Sequence, residues 1–120
     1  MAKKISSPSI ITAAGNKPKK IEEFIGRINS NTDSVSIARM KSPAGWIEPG
    51  QRPEFDEYTL VLKGMLKVKT EQDEIYIHPD EAVIVNKGEW VQYSTAGEEG
   101  AEYIAVCLPA FAPDIVHRDE

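Results

Sequence analysis

The sequence predicts a single, mainly β domain of 120 residues with one short helix near its amino terminus. From residue 34 onward, short runs of strand-forming residues recur at regular intervals, and turn-forming residues separate them. Before residue 29, apolar residues recur with the spacing of one helix face. Many short strands at regular spacing are typical of a sandwich or closed barrel. We therefore divide the chain into an N-terminal segment and helix (1–33), a barrel (34–112) and a tail (113–120).

The composition narrows the class of partner. A net charge of −5 argues against nucleic acid or an anionic membrane, because both favour clustered Lys and Arg. No apolar run has the length of a membrane span, and the first residues lack the apolar core of a signal peptide. A single cysteine, Cys107, excludes an internal disulfide. These features predict a cytoplasmic protein that binds neither nucleic acid nor membrane.

The N-terminal segment contains two apolar patterns. Ile10 and Ile11 form a short patch that suits a lone edge strand, on this protomer or on a neighbour. The helical pattern follows Pro18, and charged residues cover its opposite face. Its apolar positions are Ile21, Phe24, Ile25 and Ile28. We expect this helix to close one end of the barrel.

The strand-forming runs after residue 34 lie at 35–40, 58–62, 65–69, 75–77, 82–85, 91–95 and 103–108. In the first of these runs, alternation places Arg39 on the same face as Val35 and Ile37. Glu57 directly precedes the second run, and a carboxylate at the start of a buried strand is costly unless it has a partner. Arg39 is the natural candidate for that partner.

The stretch from Gly45 to Gly64 has the spacing of a known motif. Gly45, Glu57 and Gly64 fall in the frame of the first cupin motif, whose two histidines are replaced here by Gln51 and Pro53. Residues 80–95 resemble the second cupin motif. There Gly88 matches, whereas Val91 stands for the histidine and Thr95 for the asparagine. The chain is thus similar to small single-domain cupins, including those related to ethanolamine-utilisation proteins.

This resemblance implies a jelly-roll barrel, usually a homodimer, with its site inside the barrel mouth. The family's metal site uses three histidines and the glutamate, and this chain keeps only Glu57. We therefore expect no metal and no other cofactor. Neither remaining histidine is expected to rebuild the site. His78 ends a strand and should face solvent, and His117 lies in a tail that either stays on the surface or folds over the mouth near Glu57.

Strand alternation gives the expected lining of the barrel. If Glu57 points inward, so do Thr59 and Val61, and Val91 brings Tyr93 with it. On the last strand we expect Tyr103, Ala105 and Cys107 to face inward rather than the alternate set. Glu57 is the candidate acid/base residue. The candidate ligand-binding residues are Arg39, Gln51, Glu57, Tyr93, Cys107 and Trp46.

Each candidate also has a structural interpretation. Glu57 and Arg39 can form a buried ion pair that serves only the scaffold. Cys107 and Tyr93 can simply fill the barrel, and Trp46 and Trp90 can be packing, lid or dimer-contact residues.

Three classes of function remain open. The favoured class is a metal-independent cupin that binds a small polar or carboxylate-type molecule, because the histidines are absent. The second is an isomerase, lyase or oxygenase-type cupin enzyme that uses Glu57 or an atypical metal site. The third is a non-catalytic structural or interaction module.

Overall fold

The computed structural model describes all residues from 1 to 120 and contains nine strands in two antiparallel sheets. The strands are β1 (Ser9–Ile11), β2 (Lys20–Ile25), β3 (Ser36–Ser42), β4 (Asp56–Gly64), β5 (Leu66–Thr70), β6 (Glu74–Ile77), β7 (Ala82–Val85), β8 (Val91–Ser94) and β9 (Ala101–Leu108). The large sheet has the order β1-β2-β3-β9-β4-β7, and the small sheet has the order β6-β5-β8. Sequence neighbours often lie apart in the sheets, as in a jelly roll.

The three glycines that match the motifs have a backbone reason to be glycine. Gly45, Gly64 and Gly88 have φ angles of 73°, 74° and 85°. This left-handed region is easily adopted only by glycine. Gly64 ends β4 and turns the chain from the large sheet into β5 of the small sheet. The motif glycines therefore mark turns and say nothing about ligand chemistry.

The predicted N-terminal helix is wrong. Residues 20–25 instead form β2, which pairs antiparallel with β3 and with β1. Residue Glu22 lies opposite Arg39 in this pairing and Ile21 lies opposite Met40. Pairing with β3 overrides the weak local helical preference, as tertiary context often does. The only helical element is a 3-10 turn at Pro113–Ile115.

The hydrophobic core lies between the two sheets and consists of two clusters. The larger cluster contains the fully buried Trp46, Val61, Leu66, Val68 and Val91. A smaller cluster of Phe55, Cys107 and Val116 packs near the tail. The large sheet contributes Val61, Val85, Ala101 and Tyr103 to the larger cluster, and its inner face also carries polar groups such as Glu57 and Thr59.

Both terminal segments are tied to the loop between β3 and β4. On the amino-terminal side, the Trp46 indole Nε1 donates to the Ala14 carbonyl at 3.2 Å, and the Asn16 amide donates to the Ile47 carbonyl at 3.1 Å. On the carboxyl-terminal side, the Asp119 amide donates to the Gly50 carbonyl at 2.7 Å. These bonds bring the two ends of the chain to the same mouth of the barrel.

None of the helical elements is long and apolar enough to cross a membrane.

Candidate functional site

A cavity of about 60 Å³ lies inside the barrel, between the inner face of the large sheet and the two terminal segments. Its wall combines apolar residues with a group of polar side chains that come from six different parts of the chain. The charged residues of the wall are Lys19, Glu23, Glu48, Glu57 and Arg118, and Gln51 and Tyr93 add uncharged polar groups. A buried site with a few convergent polar groups is the usual form of a small-molecule pocket.

Glu57 lies at the centre of the cavity wall, as strand alternation predicts. It is buried together with Thr59 and Val61 on the inner face of β4. Burial, and then the nearby Glu48 carboxyl, raise the pKa of Glu57 to about 7. The Lys19 ammonium and a 3.3 Å hydrogen bond from the Tyr93 hydroxyl oppose this rise. Near neutral pH, Glu57 is therefore able both to give and to take a proton.

Glu48 is a second buried carboxyl in the same cavity, and the sequence analysis did not identify it. It is only 9% exposed, and burial raises its pKa, opposed by the charges of Lys19 and Arg118. Its carboxylate makes no hydrogen bond and no ion pair within 4.0 Å; only its backbone carbonyl accepts a bond, from Gln92. Alternation places Glu48 on the same face as Trp46, but the sequence does not tell that this face is buried and that Ile47 is exposed.

Gln51 also faces the cavity without a protein partner. The residue is 5% exposed, and its backbone is held by two 2.9 Å hydrogen bonds with Val91. Its side-chain amide, in contrast, has no hydrogen bond to the protein. No side-chain nitrogen or oxygen is sealed away from the cavity or solvent without a partner. The free groups of Glu48 and Gln51 therefore open onto the cavity space itself.

Lys19 supplies the positive charge inside the barrel. Its Nζ lies 4.1 Å from the centroid of the Trp46 ring and 5.3 Å from that of Tyr103. Burial acts to lower the pKa of Lys19, but Tyr103, Glu48 and Glu57 together raise it above its ordinary value. Lys19 is therefore a firmly charged ammonium between aromatic rings and carboxyls. The predicted helix had placed this residue on a solvent-facing surface.

Arg39 does not pair with Glu57. Its Nε lies 3.1 Å from the Glu22 carboxylate on the outer face of the large sheet, and its guanidinium lies over the Phe24 ring. Alternation along β3 was read correctly, but the face was not. Ser36, Ala38 and Met40 line the cavity, so Arg39 points the other way. The positive charge that acts on Glu57 is that of Lys19, which forms no ion pair with it within 4.0 Å and comes from a segment that the sequence did not connect to the site.

The remaining candidates fall in different places. Tyr93 and Cys107 line the cavity, with Tyr103 and Ala105 beside Cys107 on β9 as expected. Burial, followed by the neighbouring Glu57, raises the pKa of the Cys107 thiol, so it remains protonated and is a poor nucleophile. Trp46 is fully buried and lies beneath Lys19. It supports the site through that ammonium and is not part of the cavity wall.

The tail contributes an arginine and not a histidine. Arg118 lines the cavity, whereas His117 pairs with Glu54 at the surface. His78 lies 3.2 Å from Glu81, on the exposed end of the small sheet. Neither histidine is close to Glu57. Thus the tail folds over the mouth, as one of the two sequence interpretations had it, but with a different residue inside.

The donor set does not fit the family's metal. At the four ligand positions, Gln51, Pro53 and Val91 offer one neutral amide and no imidazole, which leaves Glu57 alone. No group of three or more His, Cys, Asp or Glu residues is arranged to hold a metal ion. The residues at these positions therefore do not form a transition-metal site.

Comparisons with solved structures identify the fold. The chain superposes on the polyketide cyclase RemF of Streptomyces resistomycificus with a TM-score of 0.77 at 16% identity, covering 98% of this chain and 85% of the other. A predicted oxalate decarboxylase of Thermotoga maritima gives 0.72 at 18% identity, over 91% and 99% of the two chains. A putative ethanolamine utilization protein of Salmonella typhimurium gives 0.67 at 15%, over 87% and 97%. Because a cupin domain of Schizosaccharomyces pombe also matches at 0.67, with 15% identity over 82% and 69%, the chain has the cupin fold.

Sequence comparison gives a different kind of relative. No family model matches the chain. A protein of Myxococcus xanthus called endoribonuclease YbeY is 45% identical over 101 residues, which are 84% of this chain. The match spans only 34% of that protein, about a third of its length.

Proposed function

We propose that this protein binds one small polar molecule inside its cupin barrel, without a resident transition metal. The observation that carries this proposal is the enclosed cavity onto which the free side-chain groups of Glu48 and Gln51 open. A barrel that served only as scaffold would have a filled interior. The side-chain groups of Glu48 and Gln51 reach accessible space and have no protein partner, so they are free to hydrogen-bond a molecule in the cavity.

The size of the cavity limits the ligand. A volume of about 60 Å³ admits roughly four water molecules, at about 10–15 Å³ of such space for each. A ligand of a few non-hydrogen atoms fits without rearrangement, and a larger one requires a terminal segment to move outward. The terminal segments are suited to such a movement, because short runs of hydrogen bonds to the loop at residues 45–54 hold them.

A cavity-filling variant tests the proposal. Ala105 lines the cavity, and Ala105→Leu places three additional carbons inside it. A library of small polar fragments, screened by ligand-observed NMR and thermal shift, should give binders to the parent that the variant loses. The matched control is Val106→Leu, which adds one carbon on the outer face of the same strand and should retain binding.

Two results would contradict the proposal. One is the absence of any fragment binder to the parent, and the other is binding that survives in a folded Ala105→Leu protein. Elemental analysis of untagged protein tests the metal-independent part separately, and about one transition metal ion per chain would refute that part.

Acid–base catalysis is a second candidate function, favoured by the pKa of Glu57. A carboxyl with a pKa of about 7, held by the Tyr93 hydroxyl, suits proton transfer at neutral pH. If the protein is an enzyme of this type, C–H protons of a bound fragment should exchange with deuterated solvent faster in the parent than in Glu57→Gln. Equal exchange in the two proteins would leave a binding role only.

The Myxococcus relative supports a proposal about context. A chain that is 45% identical to a third of a longer protein called an endoribonuclease can act beside such an enzyme as a separate ligand-sensing module. Because this chain has a net charge of −5, we expect the protein not to bind RNA by itself. When this protein is added to a purified endoribonuclease from its own source organism, the rate of RNA cleavage should change. An unchanged rate, with and without cavity ligand, would dismiss this proposal.

A further inference from the structure

The cavity wall carries more carboxyl groups than positively charged groups. Three carboxyls, Glu23, Glu48 and Glu57, line the same small space. The Glu23 carboxylate already accepts hydrogen bonds from the backbone amides of Ile28 and Asn29, at 3.1 and 2.8 Å, so Glu48 and Glu57 are the ones available to a ligand. Lys19 is the one cation held within the barrel, and its ammonium lies against the Trp46 and Tyr103 rings. Arg118 also lines the cavity, from the exposed tail, and its charge acts on Glu48, but it forms no ion pair within 4.0 Å.

The free groups are mainly acceptors. Glu48 has a carboxylate without any hydrogen bond or ion pair, and Gln51 has a free amide oxygen and amide nitrogen. The Tyr93 hydroxyl already donates to Glu57, so it is not available as a donor to a ligand. A bound anion would find N–H donors on Lys19, Arg118 and Gln51, but it would also lie against the Glu48 carboxylate, and the Lys19 ammonium lies against the aromatic rings. A bound ammonium would offer three N–H donors and one positive charge to the same groups.

We infer that the ligand is a small primary amine, bound as its ammonium between Glu48 and Glu57 and beside the Gln51 amide. This inference rests on the proposed binding function and names the ligand class of that site. Lys19 shows that the barrel already stabilises one ammonium by aromatic faces and carboxyls together. The proposed ligand places a positive charge directly against Glu48 and Glu57, neither of which has an ion-pair partner within 4.0 Å.

Protons are coupled to this binding. The titratable groups that line the cavity with Glu57 come from seven places: Glu48 from the loop between β3 and β4, Arg118 from the tail, Lys19 from the segment before β2, Glu23 from β2, Tyr93 from β8, and Tyr103 and Cys107 from β9, with Glu57 itself on β4. Among these groups, the carboxyl of Glu57 has a pKa of about 7. An ammonium at the site favours its ionised form, so one proton leaves Glu57 when the amine binds at lower pH. Amine affinity should therefore increase by up to about tenfold between about pH 6 and about pH 8.

The test uses three probes of equal size: propylamine, acetate and 1-propanol. Each has four non-hydrogen atoms, so size does not distinguish them, and isothermal titration calorimetry gives their dissociation constants for the whole protein. We expect propylamine to bind at least about tenfold more tightly than either of the others, with a dissociation constant below about 10 mM. Its affinity should increase with pH, whereas that of 1-propanol should not.

Two variants locate the binding. Glu48→Gln keeps the shape but removes the charge, and it should weaken propylamine binding at least about tenfold without changing 1-propanol binding. The matched control is Glu22→Gln, a nearly buried glutamate on the outer face of the same barrel, which should leave both unchanged. Circular dichroism establishes that each variant is folded, and retained 1-propanol binding provides a second check on Glu48→Gln.

Three outcomes would overturn the amine inference. Acetate or 1-propanol binding as tightly as propylamine overturns the amine inference and leaves the binding function in place. The same conclusion follows if propylamine binds equally well to Glu48→Gln. Absence of binding by all three probes also overturns the inference, and the fragment screen then decides separately whether the cavity binds any small molecule.

Discussion

Strands β4 and β5 both alternate between the inside and the outside of the barrel, but with opposite chemistry. In β5, Leu66 and Val68 point inward and Lys67 and Lys69 point outward, as in most sheets with one wet face. In β4, Glu57 and Thr59 point inward, while Tyr58, Leu60 and Leu62 are 37–44% exposed on the outside. The small sheet thus has the pattern of a core element, and the large sheet has the reverse pattern.

We interpret the exposed apolar residues of β4 as part of a surface that contacts another protein chain. The outward apolar residues of β4 continue across the sheet, because Leu60 lies opposite Ile104 and Tyr58 lies opposite Ile84. Ile84 is 65% exposed. We name this surface, formed by Tyr58, Leu60, Leu62, Ile84 and Ile104, the outer patch. We propose that a second copy of the chain covers it in a homodimer, since a two-fold interface needs one self-complementary patch.

The largest expected effect is on the small sheet. Leu66 is fully buried in the main core cluster, so Leu66→Ala leaves a cavity and should lower the free energy of unfolding by about 2–5 kcal/mol. Leu62→Ala, on the outer patch, should cost less than about 1 kcal/mol under conditions in which the protein is monomeric. Urea denaturation measures both. Equal losses would show that the two sheets do not divide their roles in this way.

The next effect comes from the inner face of the large sheet. The folded-state pKa of Glu57, about 7, lies above its ordinary value of 4.5. The folded protein therefore binds more protons than the unfolded chain between these values, and stability should fall as pH rises through this window. The decrease for this one carboxyl should be about 3 kcal/mol. Chemical denaturation at a series of pH values between about 4 and 8 measures it.

Glu57→Gln removes this titration and should flatten most of the decrease. Some slope should remain, because burial also raises the pKa of Glu48. The control Glu22→Gln concerns a carboxyl whose pKa is lowered through its hydrogen bond with Arg39, against the opposing effect of burial. That variant should leave the slope between about pH 5 and pH 7 unchanged. An unaltered slope in Glu57→Gln would mean that another group is responsible.

A smaller effect is expected at the outer patch. Leu60→Glu places a charge at the centre of the proposed interface and should increase the dimer dissociation constant at least about tenfold, or about 1.4 kcal/mol. Tyr76→Glu is the matched control, because Tyr76 on the small sheet has the same exposure of 44% as Leu60. Analytical ultracentrifugation measures the dissociation constants. A monomeric parent, or equal effects of the two variants, would exclude this surface as the interface.

The sequence reveals the barrel better than the site within it. Spacing and alternation identify the strands and orient Glu57, Tyr93 and Cys107 inward, because a strand reverses its face at every residue. Alternation alone does not tell which face of β3 is inside, and hence Arg39 was assigned to the wrong side. Lys19 was missed for another reason: the residues that follow it have a helical pattern, and pairing with β3 makes them strand β2, with Lys19 directly before it.

The smallest expected effect is a change in the free energy of unfolding caused by a substitution on the outer face of the large sheet. Arg39 is half-exposed and pairs with Glu22, so Arg39→Met should change the free energy of unfolding by less than about 1 kcal/mol. Because Arg39 does not face the cavity, the pKa of Glu57 should stay where it is. Carboxyl carbon chemical shifts, followed by NMR through a pH titration, report that pKa directly.

Lys19→Met provides the contrast from the inner side. The Lys19 ammonium lowers the pKa of both Glu48 and Glu57, so its removal should move the Glu57 titration to higher pH. Both substitutions remove one positive charge from the chain, so a general effect of net charge would act equally in the two variants. A Glu57 titration that moves in Arg39→Met and not in Lys19→Met would restore the partner expected from the sequence. It would also require the arginine to turn from the outer face of β3 into the barrel.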